Sequence, residues 1–189
     1  MNTDLRIIPF RGEYYKLRKE SEFLVKGLIY PVPDPAFPFL GVPLTQTMKG
    51  WVEAGPNAVL AAKREGYRKR DFSFNDFLRT VTFPGFWKMS VREWKTGLWE
   101  INRSLRKGVF LNSLQQLVPE LSADDLAGTG SGVRAQAVDR SGNLIDDFRI
   151  EESPGAIHVL NAPSPGATSS LVIGQHIAQL AAGNFSLAS

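Results

Sequence analysis

The sequence of 189 residues contains no cysteine. Disulfide bonds, thiolate metal sites and cysteine nucleophiles are therefore excluded, and the composition fits a reducing compartment. Neither sign of charge is in large excess, because 22 basic residues stand against 19 acidic ones for a net charge of +3. So small an excess does not predict a nucleic-acid partner. No apolar run approaches the roughly 18 residues of a membrane-spanning helix, so we expect a cytoplasmic protein that could attach to a membrane only peripherally.

Histidine is scarce, and glycine-rich phosphate-binding motifs are missing. His158 and His176 are the only two histidines. No carboxylate pair at ligand spacing accompanies them, so we expect no metal site. Neither the GxGxxG motif nor a GxxxxGK motif followed by Ser or Thr occurs. The sequence therefore offers no loop of the usual kind to hold the phosphates of a nucleotide.

Strand-like and helix-like patterns follow one another in blocks. Residues 4–17 favour two short strands interrupted near Gly12, and a last helix is expected at 166–183 with Gly183 at its end. A helical insertion is expected at about 73–127. The other expected strands are Lys26–Tyr30, Phe39–Thr45, Trp51–Ala54, Gly132–Asp139, Asp147–Ile150 and Ile157–Leu160, with turns at Lys49–Gly50 and Ser141–Asn143 and an extended proline loop through Pro31, Pro33, Pro35 and Pro38. This order predicts an α+β fold with a mixed, largely antiparallel sheet in one domain, 1–189.

Within the helical insertion, two short motifs predict where helices begin. Ser73 with Asp76 is typical of a helix N-terminus, and Ser122 with Asp125 resembles a capping box. Between them, residues 86–106 favour one amphipathic helix. Its apolar stripe would consist of Trp87, Val91, Trp94, Leu98, Ile101 and Leu105.

Arg11, Glu13 and Tyr15 alternate along the first strand-like segment and should share one face of it. An arginine beside a tyrosine suits a carboxylate substrate, because charge-assisted donors and a phenol then stand together. A surface Arg–Glu ion pair with a half-buried tyrosine explains the same residues and is favoured by this segment alone. On a second strand, Arg134 and Gln136 should also point the same way and could bind a carboxylate or carbonyl.

The segment 161–170, Asn-Ala-Pro-Ser-Pro-Gly-Ala-Thr-Ser-Ser, opens the last expected helix. Ser164 could cap that helix, and Pro165 suits its first position. Gly166 and Ala167 would leave the first turn without bulk, so that its N–H groups could approach a flat, electron-rich group such as a reduced flavin. A well-capped helix that packs closely on a sheet is the alternative explanation.

Read together, these motifs resemble the L-2-hydroxyglutarate dehydrogenase/oxidase family, which belongs to the D-amino-acid-oxidase-like flavoproteins. The resemblance covers residues 7 to about 180. It is carried by Phe10–Tyr15, Leu28–Asp34, Phe37–Val42, Gly55–Ala61, Arg64–Tyr67, Gly132–Gln136 and His158–Pro165.

The resemblance implies an enzyme portion that works with FAD, the cofactor that accepts a hydride from C2 of L-2-hydroxyglutarate to give 2-oxoglutarate. It assigns the substrate carboxylates to Arg11, Tyr15 and Arg134, with Gln136 beside them. The flavin would be lined by Pro163, Ser164, Pro165, Gly166, Ala167, Thr168 and Ser169. The N-terminal dinucleotide-binding part of the family is expected to be absent from this chain and supplied by a partner chain.

The chain departs from the family pattern at one further place. Where the family usually has Gly-Val-His, this sequence has Gly41-Val42-Pro43. A proline side chain can neither accept nor donate a proton, so no catalytic base is assigned. The sequence therefore leaves three hypotheses: an enzyme portion that is inactive alone, a non-catalytic dicarboxylate-binding module derived from the enzyme, and a poorly folded remnant.

Overall fold

A computed structural model describes residues 3–32 and 41–185. The chain folds as two compact units: the first comprises the residues up to 8, residues 79–89 and those from 135 on, and the second comprises residues 9–78 and 90–134. Every strand pairing that is described in the two sheets is antiparallel, and one isolated bridge, between Ala62 and Phe72, is parallel. The predicted α+β class with a largely antiparallel sheet is confirmed.

The second unit contains most of β1, Leu5–Leu17, whose N-terminal end belongs to the first unit. The predicted interruption at Gly12 is wrong. A Cβ atom at Gly12 would lie 2.7 Å from Cβ of Pro56, so this glycine allows a neighbouring loop to approach an unbroken strand. Beside β1 lie β4 and β5, where Tyr15 is opposite Ala54 and Arg11 is opposite Val59.

The predicted hairpin is confirmed as β3, Leu44–Gln46, and β4, Val52–Ala54. Its turn uses Gly50, whose φ of 92° suits glycine. The strand β2 is Leu28–Ile29, shorter than predicted, and β5 is Val59–Leu60. The predicted strand residues 39 and 40, the proline-rich segment with Pro33, Pro35 and Pro38, and most of the family-like segment 37–42 lie outside the described residues.

Four helices fill the middle of the chain: α1, Phe74–Val81; α2, Pro84–Arg92; α3, Trp94–Leu105; and α4, Lys107–Gln115. The helix start at Ser73 is confirmed, but the single helix predicted for 86–106 is divided at Glu93. All six residues of the predicted apolar stripe are exposed. The buried positions of α3 are instead Glu100 and Arg103, because the periodicity marks an apolar face without saying what covers it.

The core of the second unit lies between its strands and α4. Among its residues are Leu17, Val42, Leu44, Phe110 and Leu114, and each of these five is at most 2% exposed. The predicted capping box at Ser122 and Asp125 is confirmed and opens a short 3-10 helix, Ala123–Asp125.

The first unit contains the C-terminal end of β6, Leu126–Asp139, with β7, Leu144–Ile145, beside it. The turn between them at Ser141–Asn143 is confirmed, with Gly142 at a φ of 86°. A separate hairpin follows, β8, Ile150–Ser153, and β9, Ala156–Val159.

The last helix, α5, is Ser170–Asn184, so it begins four residues later than predicted. Pro165 is therefore not its first residue and Ser164 is not its cap. Gly183 lies inside the helix rather than beyond its end. The residues before the helix form turns instead, with the Ser169 N–H donating to the Pro165 carbonyl at 3.0 Å.

Candidate functional site

Among the described residues of the second unit, three cavities lie along β1, and two of them contain arginines predicted from the sequence; the third, of about 330 Å³, lies beside Tyr14, Lys16 and Trp51. The Arg11 cavity encloses about 420 Å³ and is lined by Arg11, Glu13, Tyr14, Tyr15, Tyr67, Arg68, Lys69, Thr129, Gly130 and Ser131. The Arg134 cavity encloses about 160 Å³ and is lined by Phe10, Gly12, Tyr14, Pro56, Asn57, Ala58, Gly132, Val133 and Arg134. Tyr14 is common to both. Arg11 and Tyr15 are therefore brought together as predicted, whereas Arg134 lines a different cavity.

Arg11 is buried, and its charge is already compensated. Its Nε and Nη2 donate to Oε1 of Glu13 at 3.1 and 3.0 Å, and its Nη1 donates to the carbonyl of Arg68 at 3.2 Å. The side chains of Arg11 and Glu13 are 8% and 14% exposed. The Arg–Glu pair expected as the alternative explanation is thus present, but it is largely shielded from solvent.

Glu13 connects three parts of the second unit. Its Oε2 accepts hydrogen bonds from Nδ2 of Asn57 at 3.3 Å and Oγ of Ser104 at 2.6 Å, and Nζ of Lys69 lies 3.5 Å away. Its backbone N–H donates to Oδ1 of Asn57 at 2.7 Å. The carboxylate therefore ties β1 to the loop before β5 and to α3. Several partners satisfy it, as a largely buried charge requires.

Tyr15 packs against the core of the second unit. Its ring meets Phe110 edge-on at 4.8 Å between centroids. Burial raises the pKa of Tyr15, and the nearby Glu13 carboxylate adds to the increase. The phenol therefore stays protonated at neutral pH, and the ring has a packing role whether or not its hydroxyl contacts a ligand.

Arg134 is exposed at the rim of its cavity. Within residues 3–32 and 41–185 it forms no ion pair with a carboxylate, unlike Arg11. Tyr14 lines the same cavity. Burial raises the pKa of Tyr14, while the positive charge of Arg134 opposes the increase. The guanidinium is thus available to an anion, and a neutral phenol stands beside it as a hydrogen-bond donor.

Tyr14 is a candidate site residue that the sequence prediction missed, since it lines both cavities. Residues 14 and 15 are adjacent tyrosines on one strand, so alternation places them on opposite faces. The sequence could not tell which face carries Arg134, since that depends on how β6 pairs with β1.

The loop beside the Arg134 cavity is held by a buried ion pair on α3. Nη1 of Arg103 donates to Oε1 of Glu100 at 2.8 Å, and Oε2 of Glu100 accepts the N–H of Ala58 at 3.1 Å. Burial raises the pKa of Glu100, while Arg103 and the Ala58 hydrogen bond act against the increase. Ala58 and its neighbour Asn57 both line the cavity, so α3 helps to fix its wall.

Gln136 and the segment 163–169 belong to the first unit. Gln136 is buried, and its Nε2 donates to the carbonyls of Ala137 and Ile145 at 3.2 and 3.3 Å. These bonds support the end of the sheet. The assignment of Gln136 to a substrate stays a prediction.

The segment 163–169 forms tight turns with an open outer side. The Gly166 N–H donates to the Pro163 carbonyl at 2.8 Å, and a Cβ atom at Gly166 would lie 2.9 Å from that oxygen. The glycine is therefore needed by the turn itself. Ser164, Ala167 and Thr168 are exposed, so small side chains present a surface that a flat ring could approach.

Other candidate centres give little support for chemistry. Nε2 of His158 lies 2.9 Å from Oγ of Ser153, within the β8–β9 hairpin. Among the residues described, no group of three or more histidine, cysteine, aspartate or glutamate side chains could hold a metal ion. In the same residues, no helix is long and apolar enough to cross a membrane.

The comparison with protein families decides the class of the chain. Residues 1–180 match the family model described as "DAO: FAD dependent oxidoreductase". The chain belongs to this family. The resemblance to flavoproteins of this family, which the sequence motifs indicated, is therefore confirmed.

Curated relatives of this family member carry a common name. The chain is 58% identical over 184 residues to an L-2-hydroxyglutarate dehydrogenase of Indibacter alkaliphilus, which covers 97% of the chain and 46% of that relative. It is 53% identical over 171 residues to an L-2-hydroxyglutarate dehydrogenase of Escherichia coli strain K12, with 90% and 40% covered. A mitochondrial L-2-hydroxyglutarate dehydrogenase of Nematostella vectensis is 48% identical, with 98% and 42% covered. The chain thus spans less than half the length of these relatives and matches their C-terminal portion.

Proposed function

We propose that this chain is the substrate-side portion of an FAD-dependent oxidoreductase that oxidises L-2-hydroxyglutarate, or a similar 2-hydroxy acid, to the 2-oxo acid. The names of its relatives support this substrate, and the fraction of their length that it matches supports a portion rather than a whole enzyme. The chain is proposed to be inactive alone and to require a dinucleotide-binding partner. A cytoplasmic location is part of the same proposal, and attachment at a membrane surface is not.

The observation that carries this proposal is the guanidinium of Arg134, exposed beside the phenol of Tyr14 in one cavity. An arginine with no carboxylate partner can bind a substrate carboxylate through two parallel hydrogen bonds. Tyr14 would donate a third bond to the same group or to the 2-hydroxyl oxygen. Arg134 thereby orients the substrate and compensates its charge.

Arg11 has a different part in this proposal. Because Glu13 compensates its charge, Arg11 offers a carboxylate less attraction than Arg134 does. The predicted assignment of Arg11 and Tyr15 to a second carboxylate requires a ligand in the larger Arg11 cavity, where Lys69 and Arg68 supply further positive charge. That assignment remains a prediction alongside the one for Gln136.

FAD is the cofactor that the family implies. The open outer side of Pro163–Ser169 fits a flat ring, and the chain has no glycine-rich loop for a pyrophosphate. We therefore assign only contacts with the ring to this segment and place the remaining grip in the partner. When bound, FAD supplies the hydride acceptor, and the protein residues bind and orient the acid. No base is assigned, because the side chain of Pro43 has no atom that can accept a proton. Pro43 is buried, and its backbone carbonyl accepts a hydrogen bond from the Gly55 N–H at 2.8 Å.

A second candidate function is a dicarboxylate-binding module without turnover. It is favoured by the observation that the Arg134 cavity is formed by the second unit alone and needs none of the residues 163–169. On this alternative, the chain binds the acid without FAD and gains no activity from a dinucleotide-binding partner.

Calorimetry with L-2-hydroxyglutarate and 2-oxoglutarate tests both functions. A charge-assisted hydrogen bond contributes roughly 1.5–3 kcal/mol, so Arg134→Ala should weaken binding about 10- to 150-fold. The matched control is Arg140→Ala, which removes an arginine that is exposed in the first unit and should leave binding unchanged. Binding that Arg134→Ala does not weaken, or no binding of either acid, would refute the site.

The two functions are then distinguished by adding FAD together with the N-terminal part of a relative that this chain does not match. An enzyme portion should become yellow and turn over the acid only in the presence of that part. A binding module should bind equally well with and without it and show no turnover.

A further inference from the structure

We infer that Lys16 binds the second carboxylate of the acid whose first carboxylate is held by Arg134, and that Lys16 thereby selects dicarboxylates over monocarboxylates. This inference rests on the proposed function, because it names the substrate class of the same site. It also gives the second carboxylate a partner other than Arg11.

Alternation along β1 places Lys16 and Arg11 on opposite faces of the sheet. Successive side chains of an unbroken strand point to opposite faces, so Tyr14 and Lys16 share one face and Arg11 and Tyr15 share the other. The surroundings agree with this division, because Tyr15 packs against Phe110 in the core, whereas Lys16 is exposed. The backbone of the sheet lies between the two faces, so one small acid beside Tyr14 cannot also reach Arg11.

The strand β6 brings Arg134 and Lys16 to the same face. A Cβ atom at Gly130 would lie 3.9 Å from Cβ of Tyr14, and a Cβ atom at Gly128 would lie 3.6 Å from Cβ of Lys16. Arg134, four residues beyond Gly130 on β6, lines its cavity together with Tyr14. Tyr14 and Lys16 in turn line the third cavity, of about 330 Å³, which we call the Lys16 cavity. The Arg134 and Lys16 cavities therefore meet at Tyr14.

The spacing along β1 suits a five-carbon diacid. Tyr14 and Lys16 are two residues apart, which corresponds to about 7 Å in an extended strand. In 2-hydroxyglutarate, four bonds of about 1.5 Å each separate the two carboxyl carbons, which therefore lie at most about 6 Å apart. When Arg134 and Tyr14 hold one carboxylate, the other is thus within reach of the long, flexible side chain of Lys16.

Lys16 is held in position without losing its charge. Among the residues that the structure describes, Lys16 forms no ion pair with a carboxylate. Its Nζ lies 4.0 Å from the centroid of the Trp51 ring, and the face of an indole attracts an ammonium group without cancelling its net charge. The ring is itself oriented, because Nε1 of Trp51 donates to Oε1 of Glu53 at 2.8 Å. The ammonium group is therefore available to an anion in the Lys16 cavity.

Glu53 explains why the second carboxylate of the ligand should matter. This residue is opposite Lys16 on β4 and also lines the Lys16 cavity. For a monocarboxylate bound at Arg134, the opposite charges of Lys16 and Glu53 largely offset each other at a distance. Only a ligand with a second carboxylate can form a direct charge-assisted hydrogen bond with Lys16. Lys16 should therefore add affinity for diacids alone.

Calorimetry on the whole chain tests this inference with two probes, 2-oxoglutarate and 2-oxopentanoate, which have the same carbon chain but differ in the second carboxylate. Lys16→Met keeps an unbranched side chain at an exposed position and removes its charge. It should weaken binding of 2-oxoglutarate about tenfold or more and leave the affinity for 2-oxopentanoate unchanged. Lys16→Arg, which restores the charge, should recover most of the affinity for 2-oxoglutarate.

Lys49→Met is the matched control. Nζ of Lys49 lies 5.5 Å from the centroid of the same Trp51 ring, but Lys49 belongs to the turn before β4 and not to the lining of the Lys16 cavity. Its replacement removes the same charge from the same neighbourhood and should leave both affinities unchanged. An equal loss of 2-oxoglutarate affinity in Lys49→Met and Lys16→Met would indicate a general effect of charge and overturn the inference.

Arg134→Ala separates this inference from the proposed function, because it should weaken binding of both probes. If it does so while Lys16→Met leaves the affinity for 2-oxoglutarate unchanged, the inference is overturned and the proposed function stands. If Lys16→Met weakens both probes equally, Lys16 does not recognise the second carboxylate, and the inference is again overturned. If neither probe binds to the chain, the Arg134 site and this inference both fail.

Discussion

Removing Arg103 from the buried pair on α3 should destabilise the protein strongly and in a pH-dependent way. The side chains of Arg103 and Glu100 are 9% and 6% exposed, and Arg103→Met keeps an unbranched apolar side chain in the same space. The Glu100 carboxylate is then left buried without a counter-charge, which typically costs about 3–5 kcal/mol. For a chain of this length, that loss corresponds to a decrease in Tm of roughly 6–20 °C.

The pH dependence follows from the sign of the shift. Burial already raises the pKa of Glu100 above its ordinary value, and Arg103 opposes the increase. Without Arg103 the pKa rises further, so the ionised carboxylate destabilises the folded state at every pH above its pKa in the unfolded chain. The destabilisation of Arg103→Met should therefore be largest near pH 7.5 and become smaller as the pH falls toward 5.

Urea unfolding followed by tryptophan fluorescence measures this effect, and Trp99 lies close to Arg103, with its ring centroid 5.9 Å from the guanidinium carbon. The double variant Glu100→Gln/Arg103→Met is the control, because a neutral amide can still accept the Ala58 N–H. It should recover most of the loss at pH 7.5. The reasoning is refuted if Arg103→Met loses less than about 1 kcal/mol, if the loss is equal at pH 5 and 7.5, or if the double variant is no more stable.

Two further predictions concern the fold. Gly85→Ala should destabilise the first unit by roughly 1–3 kcal/mol in thermal unfolding, because its Cβ would lie 1.9 Å from the Asp139 carbonyl oxygen, whereas Gly97→Ala meets no atom within 4 Å and should be neutral or stabilising. Hydrogen bonds from Ser21 and from the helix cap lower the pKa of Asp125, so the stabilisation they provide is present above pH 4 and is lost as the pH falls through the lowered pKa. Ser21→Ala should therefore destabilise the chain at pH 7 and have less effect near pH 2, and an equal effect at both pH values in urea unfolding would contradict this.

Local sequence signals predicted the elements that depend on local chemistry. The turn at Gly50, the capping box at Ser122 and the helix start at Ser73 each follow from the preference of one or two residues for a backbone conformation. The end of the chain shows the limit of such signals. Pro165 is compatible with a first helical position, yet it lies in the turns that precede Ser170, where its carbonyl accepts a hydrogen bond from the Ser169 N–H.

Features that depend on tertiary contacts could not be predicted in this way. The spacing of Leu98, Ile101 and Leu105 is that of a buried helix face, but these residues are exposed and Glu100 and Arg103 are buried instead. Hydrophobic periodicity shows where the apolar face of a helix is, but it does not show which face is buried. A polar face can be buried instead when its charged side chains find partners in the folded chain.

The candidate site divides in the same manner. That Arg11, Glu13 and Tyr15 share a face follows from the period of a strand, and the ion pair between Arg11 and Glu13 agrees with it for those two residues. That Arg134 stands with Tyr14 rather than with Arg11 depends on strand pairing over a separation of about 120 residues, which no short motif encodes.

The carboxylate of Glu13 has a practical consequence for mutational surveys. The Glu13 side chain compensates the charge of Arg11 and accepts hydrogen bonds from Asn57 and from Ser104 on α3. A screen that scores only loss of activity would rank Glu13 with the residues that touch substrate, although its replacement would first loosen the architecture around both cavities. Measuring both soluble yield and ligand affinity for each variant would distinguish a residue that stabilises the structure from one that contacts the substrate.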